Sequence, residues 1–200
     1  MDEDINLTIK IIILGSSEVG KTSILDRYFK DVFRANHLST IGIDFQTKFF
    51  KFDSKKIKVN YTDTAGQEKF HAISINYLKA ANGVILVFDV TNPDTFDALE
   101  GWLHDLKENN KFDVKKVLIG NKIDLEDKRK ISKEQAEKFA EEIGCKYYEG
   151  SAKSGFGINE ALDEIARITY FSMKDQNKEE NEGVILDKND LDKNKKKKCC

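Results

Sequence analysis

Lys21 stands between a glycine and a threonine, at the end of the run Gly15-Ser16-Ser17-Glu18-Val19-Gly20-Lys21-Thr22. The run fits the pattern G-x-x-x-x-G-K-[ST], whose chemistry is phosphate binding. Glycines let the backbone wrap close to anionic oxygens, so that successive N–H groups point inward. The Lys21 ammonium would reach the outer phosphates of a nucleotide, and the Thr22 hydroxyl would ligate Mg²⁺. Such a loop works when a strand delivers it and a helix leaves it. The apolar run Ile9-Lys10-Ile11-Ile12-Ile13-Leu14 precedes it, and the pattern after it predicts a helix over Thr22–Phe29. A glycine-rich turn that matches by chance is the alternative, and this context argues against it.

Four further segments fall where a nucleotide site would need them. In Asp63-Thr64-Ala65-Gly66-Gln67-Glu68, an acid can hold Mg²⁺ through water, a glycine can present its N–H to a terminal phosphate, and a glutamine can orient a water. In Asn121-Lys122-Ile123-Asp124, a carboxylate can accept from N1 and the 2-amino group of guanine, a pair adenine does not offer. The backbone N–H groups of Ser151-Ala152-Lys153 can donate to the guanine carbonyl, and Thr40 in Thr40-Ile41-Gly42-Ile43-Asp44-Phe45 supplies a second hydroxyl for the metal. Each has a dull explanation alone: a polar turn, a strand-end cap, a helix lead-in, a β-branched strand residue. Their order at successive strand ends makes coincidence a poor account.

The elements that must position these residues alternate. Strands are predicted near Leu7–Leu14, Phe45–Phe52, Ile57–Tyr61, Val84–Val90, Val117–Asn121 and Lys146–Tyr148, the second and third joined by a hairpin at Asp53-Ser54-Lys55-Lys56. Helices are predicted over Thr22–Phe29, Glu68–Ala80, Thr95–Glu108, Lys133–Ile143 and Ile158–Phe171, with start signals at Asn92-Pro93-Asp94 and Ser132 and a stop at Gly144. Gly83-Val84-Ile85-Leu86-Val87-Phe88 has no polar alternation, as a strand covered on both faces requires. The expectation is an α/β fold: a doubly wound, mostly parallel six-stranded sheet with helices on both faces, and a ligand crevice at the strand carboxyl ends.

Two hundred residues, 40% of them hydrophobic, suit one domain with an added segment. The formal net charge of −2 argues against a nucleic-acid binder. The acidic start Met1-Asp2-Glu3-Asp4 has no signal-peptide core, and no apolar run approaches the roughly 20 residues that span a bilayer. Cys145, Cys199 and Cys200 make no disulfide framework. The expectation is a reduced, cytosolic, monomeric protein, with Cys145 in or near the core. Apolar periodicity stops near Met173, so the domains divide into an extension at 1–6, a folded domain at 7–171 and a disordered tail at 172–200. The tail ends Lys195-Lys196-Lys197-Lys198-Cys199-Cys200.

Taken together, the five motifs resemble the Ras superfamily of small GTPases over residues 7–171, with its phosphate-loop NTPase fold. Ile41-Gly42-Ile43-Asp44-Phe45, Lys69-Phe70, Leu86-Val87-Phe88-Asp89-Val90-Thr91 and the double-cysteine end resemble the Rab branch. Phe70-His71-Ala72 is similar to Rabs of early endocytic traffic.

The resemblance implies GTP or GDP held with Mg²⁺. Residues 15–23, from Gly15 to Ser23, would wrap the phosphates, with Phe33 on the guanine ring. Thr22 and Thr40 would ligate Mg²⁺, and Asp63 would hold it through water. Gly66 would touch the γ-phosphate and Gln67 would position the hydrolytic water. Asn121, Lys122, Asp124, Ser151, Ala152 and Lys153 would read guanine. Segments 33–45 and 63–80 would be switches that order around the γ-phosphate and release after hydrolysis. Around Phe45 and Tyr77 they would meet effectors, an exchange factor and a GTPase-activating protein. The tail would carry two geranylgeranyl chains on Cys199 and Cys200, recognised by a prenyl chaperone or GDP-dissociation inhibitor. That places the protein on the cytosolic face of an intracellular, endosomal membrane, cycling with cytosol.

Four residues depart from the family pattern. Glu18 replaces a small residue, Thr62 a tryptophan, Gly150 a threonine, and His37 an aromatic that lids the phosphates. Glu18 and His37 favour an alternative, a guanine-nucleotide-binding module with little or no hydrolysis; Gln67 and Thr40 speak against it. A nucleotide kinase with an ATP loop fails on Asn121 to Asp124. Trp102 reads as core.

Overall fold

The computed structural model describes residues 5, 7–34, 43–64, 77–110 and 114–195. His37, Thr40, Gly66, Gln67, Phe70, Cys199 and Cys200 lie outside the described residues, as does most of the helix expected over Glu68–Ala80.

Six strands form one sheet: β1 (Leu7–Leu14), β2 (Ile43–Phe52), β3 (Lys55–Thr64), β4 (Gly83–Asp89), β5 (Lys115–Asn121) and β6 (Lys146–Glu149), in the spatial order β2-β3-β1-β4-β5-β6. Only the β2–β3 pair is antiparallel. β1 is flanked by β3 on one side and β4 on the other, so the winding reverses there and opens a crevice beyond the strand carboxyl ends. Every residue of β4 is buried, as its unbroken apolar run requires.

Among the described residues the helices are α1 (Lys21–Lys30), α2 (Pro93–Asp97), α3 (Leu99–Asn109), α4 (Lys133–Glu142) and α5 (Ile158–Lys195), with a 3₁₀ turn at Ile123–Lys128. Ile12, Leu14, Val84, Leu86, Phe88 and Leu118 of the sheet pack in one buried cluster with Leu99 and Leu106 of α3 and Ala136 and Ala140 of α4. The opposite face receives α1 and α5: Tyr61 of β3 meets Tyr28 and Phe29 edge-on and donates its hydroxyl to Leu162 O. Full burial of each Ile or Leu stabilises by about 2 kcal/mol before chain entropy is counted. Trp102 and Cys145 pack half-buried against the first cluster, and burial pushes the Cys145 thiol up to about 11.

Local chemistry sets the boundaries. Ser132 caps α4 through a reciprocal pair: Gln135 N donates to Ser132 Oγ (3.2 Å), and Ser132 N donates to Gln135 Oε1 (2.9 Å). The hairpin is tighter than the sequence suggests, because Phe52 pairs with Lys55 and only Asp53 and Ser54 turn. Both have positive φ, 48° and 61°, the conformation whose twist matches right-twisted strands.

The single helix expected over Thr95–Glu108 begins earlier and is broken at Ala98. Asn92 caps the first piece, and Thr95 Oγ1 takes the N–H of Asp89 (3.0 Å) while donating to Asn92 O (2.7 Å). Those bonds tie the first turn to β4 rather than to the helix that follows. The last helix runs past its expected end at Phe171 to Lys195. The sequence beyond Phe171 lacks apolar periodicity, yet it holds no proline and carries eight lysines and three glutamates, which extend a helix readily. The chain divides into two compact units, Met1–Thr169 and Tyr170–Cys200. Among the described residues no helix is long and apolar enough to cross a membrane.

Candidate functional site

The loop from Gly15 to Gly20 joins β1 to α1 and turns where only glycine fits. At Gly15, φ is 146° and an added Cβ would lie 2.2 Å from Val87 O; at Gly20, φ is 96° and a Cβ would lie 2.5 Å from Asn121 Nδ2. Glu18 holds a left-handed φ of 65° with a full side chain, exposed to solvent. Lys21 begins α1 and folds back under the loop, its Nζ donating to Gly15 O and Ser16 O, both at 2.9 Å. It is only 6% exposed, and burial pulls its ammonium down to about 8 against the opposing pull of Asp63.

Thr22 donates its hydroxyl to Asp63 Oδ2 at 2.6 Å, linking the first turn of α1 to the end of β3. Asp63 is buried, and burial raises its carboxyl above the usual range against the pull of Thr22 and Lys21. Its other oxygen, Oδ1, has no hydrogen-bond partner among the described residues. A buried carboxylate oxygen without a donor is costly, and a hard cation is the partner it suits. The described residues contain no cluster of three or more His, Cys, Asp or Glu that would cage a metal. One carboxylate and one hydroxyl instead match Mg²⁺, which keeps several waters and shares its shell with substrate phosphates.

Asn121, at the end of β5, is 1% exposed and joins two loops. Its Nδ2 donates to Val19 O in the 15–20 loop (2.7 Å), and its Oδ1 accepts from Ala152 N (3.1 Å). Ser151 Oγ donates to Asp124 Oδ1 at 2.6 Å and accepts from Ser154 N at 3.1 Å. Lys153 Nζ lies 3.8 Å from Asp124 Oδ2. The structure therefore brings 15–22, Asp63, 121–124 and 151–153 to one rim of the sheet. Phe33 stands 38% exposed just past α1, and Ser23 is half-buried within that helix.

Two contributors escaped the sequence reading. Asp89, at the end of β4, pairs with Lys122 Nζ at 2.6 Å and accepts from Thr91 N (2.8 Å) and Thr91 Oγ1 (2.7 Å). The Asp89-Val90-Thr91 spacing after an apolar strand was the signal available for it. Arg27 of α1 donates to the carbonyls of Ala152 and Lys153, and nothing local in the sequence announces that. Thr62, one of the four departures from the family pattern, lies near the end of β3, next to β2. It pairs in register with Phe45, yet it is 5% exposed while Phe45 is 52% exposed and meets Tyr77 at 5.6 Å between ring centroids.

A model of the Ras family matches residues 10–170. The chain is 44% identical over 158 residues to Ras-related protein Rab-8B of Bos taurus, covering 79% of this chain and 76% of that protein. It is 41% identical over 191 residues to Ras-related protein Rab-13 of Bos taurus, covering 95% and 94%. To Ras-related protein Rab-8A of Rattus norvegicus it is 42% identical over 158 residues, covering 79% and 76%.

Proposed function

The chain belongs to the Ras family of small GTPases, in its Rab branch, and from that premise we propose which of its residues make the switch. As a member it binds GTP and GDP, hydrolyses GTP, and regulates vesicle traffic at intracellular membranes through effectors and regulators. Membership in a family of GTP hydrolases leaves the non-hydrolysing alternative without support.

Residues 15–23 hold the phosphates: the loop supplies N–H groups, and Lys21 supplies the charge. Release from Gly15 O and Ser16 O would let that ammonium turn to phosphate oxygens, which restore the ionisation that burial weakens. Thr22 and Asp63, joined by the resemblance-based Thr40, hold Mg²⁺. When bound, that ion neutralises charge developing on the β- and γ-phosphates. Asp124 accepts from guanine N1 and the 2-amino group, the 151–153 loop offers an amide to the guanine carbonyl, Lys122 and Phe33 flank the ring, and His37 takes the part of the aromatic that lids the phosphates in the family. Gly66 and Gln67 act at the γ-phosphate.

The observation that carries this assignment is Asn121, whose one buried amide spans the phosphate loop and the 151–153 loop. A base and a triphosphate can then be gripped at a fixed separation.

No arginine lies beside Thr40 in the sequence, the nearest upstream being Arg34. Intrinsic turnover is therefore slow, on the order of 10⁻⁴ s⁻¹, until an activating protein supplies the missing charge. Cys199 and Cys200 carry two prenyl chains, because one lipid binds a bilayer only marginally. Lys195–Lys198 add about 1 kcal/mol each at an anionic leaflet. Phe45 and Tyr77 present the effector surface. The membrane is endosomal, a placement that rests on Phe70-His71-Ala72. Single-turnover hydrolysis tests the catalytic assignment: Gln67→Leu should be at least tenfold slower than the native protein with nucleotide binding intact, because the change removes water positioning and no phosphate contact. An unchanged rate would remove Gln67 from the mechanism.

A further inference from the structure

Arg27 sits on the second turn of α1, and its guanidinium is spread over three partners. Nε donates to Ala152 O at 2.9 Å and Nη2 to Lys153 O at 2.8 Å. Nη1 donates to Asp31 O at 3.1 Å and to Asp31 Oδ1 at 2.7 Å. The side chain is 16% exposed, and its stem runs beside Gly155, where an added Cβ would lie 3.5 Å from Arg27 Cδ. A planar fork of fixed donors suits two successive carbonyls in a way that a point charge does not.

We propose that Arg27 is a positioning residue for guanine recognition, holding the 151–153 loop so that the Lys153 amide meets the 6-oxygen of the base. The proposal rests on the base-reading role assigned above to that loop. In a trans peptide the C=O and the following N–H point in opposite directions. With the Ala152 and Lys153 carbonyls drawn onto α1, the amide of Lys153 is turned away from α1 and polarised by a charge-assisted bond at the other end of its peptide unit. Asn121 Oδ1 fixes the preceding amide, Ala152 N, and Ser151 Oγ fixes Ser154 N. The loop is thus held from three sides, and Arg27 is the only one of these holders that stands on the helix beginning at Lys21. Six residues of helix, about 9 Å, separate that phosphate-binding lysine from the arginine. The arginine makes α1 a rigid strut between the two ends of the nucleotide.

The test compares release of three diphosphates from the full-length, Mg²⁺-loaded protein. GDP and inosine diphosphate carry the 6-oxygen; 2-aminopurine riboside diphosphate lacks it. Arg27→Met keeps the stem and removes the fork. It should speed release of GDP and inosine diphosphate by the same factor, about tenfold, and change release of the 2-aminopurine nucleotide less than twofold. Arg27→Lys, which keeps the charge without the fork, should fall between the two and serves if the methionine variant does not fold. Equal acceleration of all three nucleotides would mean that Arg27 merely holds the fold together, and no acceleration would mean that the loop holds itself; either result overturns the proposal. A native protein that did not prefer GDP to ADP would overturn the base-reading assignment instead, whatever Arg27 does.

Discussion

Thr22 and Asp63, 41 positions apart in the chain, meet at 2.6 Å, and the meeting leaves Asp63 Oδ1 buried without a donor among the described residues. One side of the carboxylate is occupied by the helix that begins at Lys21, and the other suits a hard cation.

Chelation should therefore speed GDP release from the native protein by at least tenfold, as expected of an Mg²⁺ that would hold the phosphates in place. Asp63→Ala should release GDP quickly with or without chelator. A native release rate indifferent to chelation would argue against a metal at Thr22 and Asp63.

Guanine preference should be lost through Asp124. Its Oδ1 takes the Ser151 hydroxyl at 2.6 Å, which orients the carboxylate. Adenine would deny that carboxylate the two donors that guanine supplies, at a cost of several kcal/mol. Asp124→Asn should bind xanthosine diphosphate better than GDP, measured by competition. Equal affinity of the native protein for ATP and GTP would defeat the assignment.

Glu18 should weaken nucleotide retention in two separable ways. Its left-handed φ of 65° costs about 1 kcal/mol for a residue with a Cβ, and its charge repels phosphate, by roughly 2 kcal/mol at 8 Å and an effective dielectric near 20 before screening. Glu18→Ala removes the charge and keeps the strain; Glu18→Gly removes both. Release of a fluorescent guanine nucleotide should slow in both variants, and the thermal midpoint should rise further in the glycine variant. Identical release from native protein and both variants would show that Glu18 faces away from the phosphates.

Acid should weaken the fold through Glu164. Arg167 (Nε at 2.7 Å) and Lys146 (Nζ at 2.6 Å) hold its carboxyl down to about 2, against burial and from an ordinary 4.5. The ionised form is the one stabilised in the fold. The contribution is therefore complete above pH 4.5 and disappears as pH falls from there towards 2. The shift sets a ceiling of roughly 3 kcal/mol, and the solvent exposure of both cations trims this to about 1–2. Urea midpoints of native protein and Glu164→Gln should differ at pH 7 and converge as the pH is lowered below 4.5. A difference independent of pH would mean that packing, not charge, accounts for it.

The glycine-bounded loop at 15–20, the strand that feeds it and the helix that leaves it were legible because each is a local matter. Glycine at 15 and 20, lysine at 21 and an apolar run ending at Leu14 specify a strand, a turn and a helix start within about 20 residues. The six strands were legible for the same reason, since apolar runs and turn residues are neighbours in sequence. The two-residue turn at Asp53-Ser54 and the break at Ala98 were not, because β2–β3 register and the Thr95–Asp89 bonds decided them. The burial of Thr62 was set by its place in β3 beside β2, which its sequence neighbours do not announce.

What only the tertiary structure decided is how the motifs hold one another. Asn121 reads as a base contact by itself, yet its side chain spans 102 positions to reach Val19 O. Arg27 reads as one cation on a surface helix, yet it lies 125 and 126 positions from the carbonyls it grips. A motif records which chemistry a segment can do. Which backbone groups from distant segments must share one donor is set by how the sheet and its helices pack, and no local pattern encodes that.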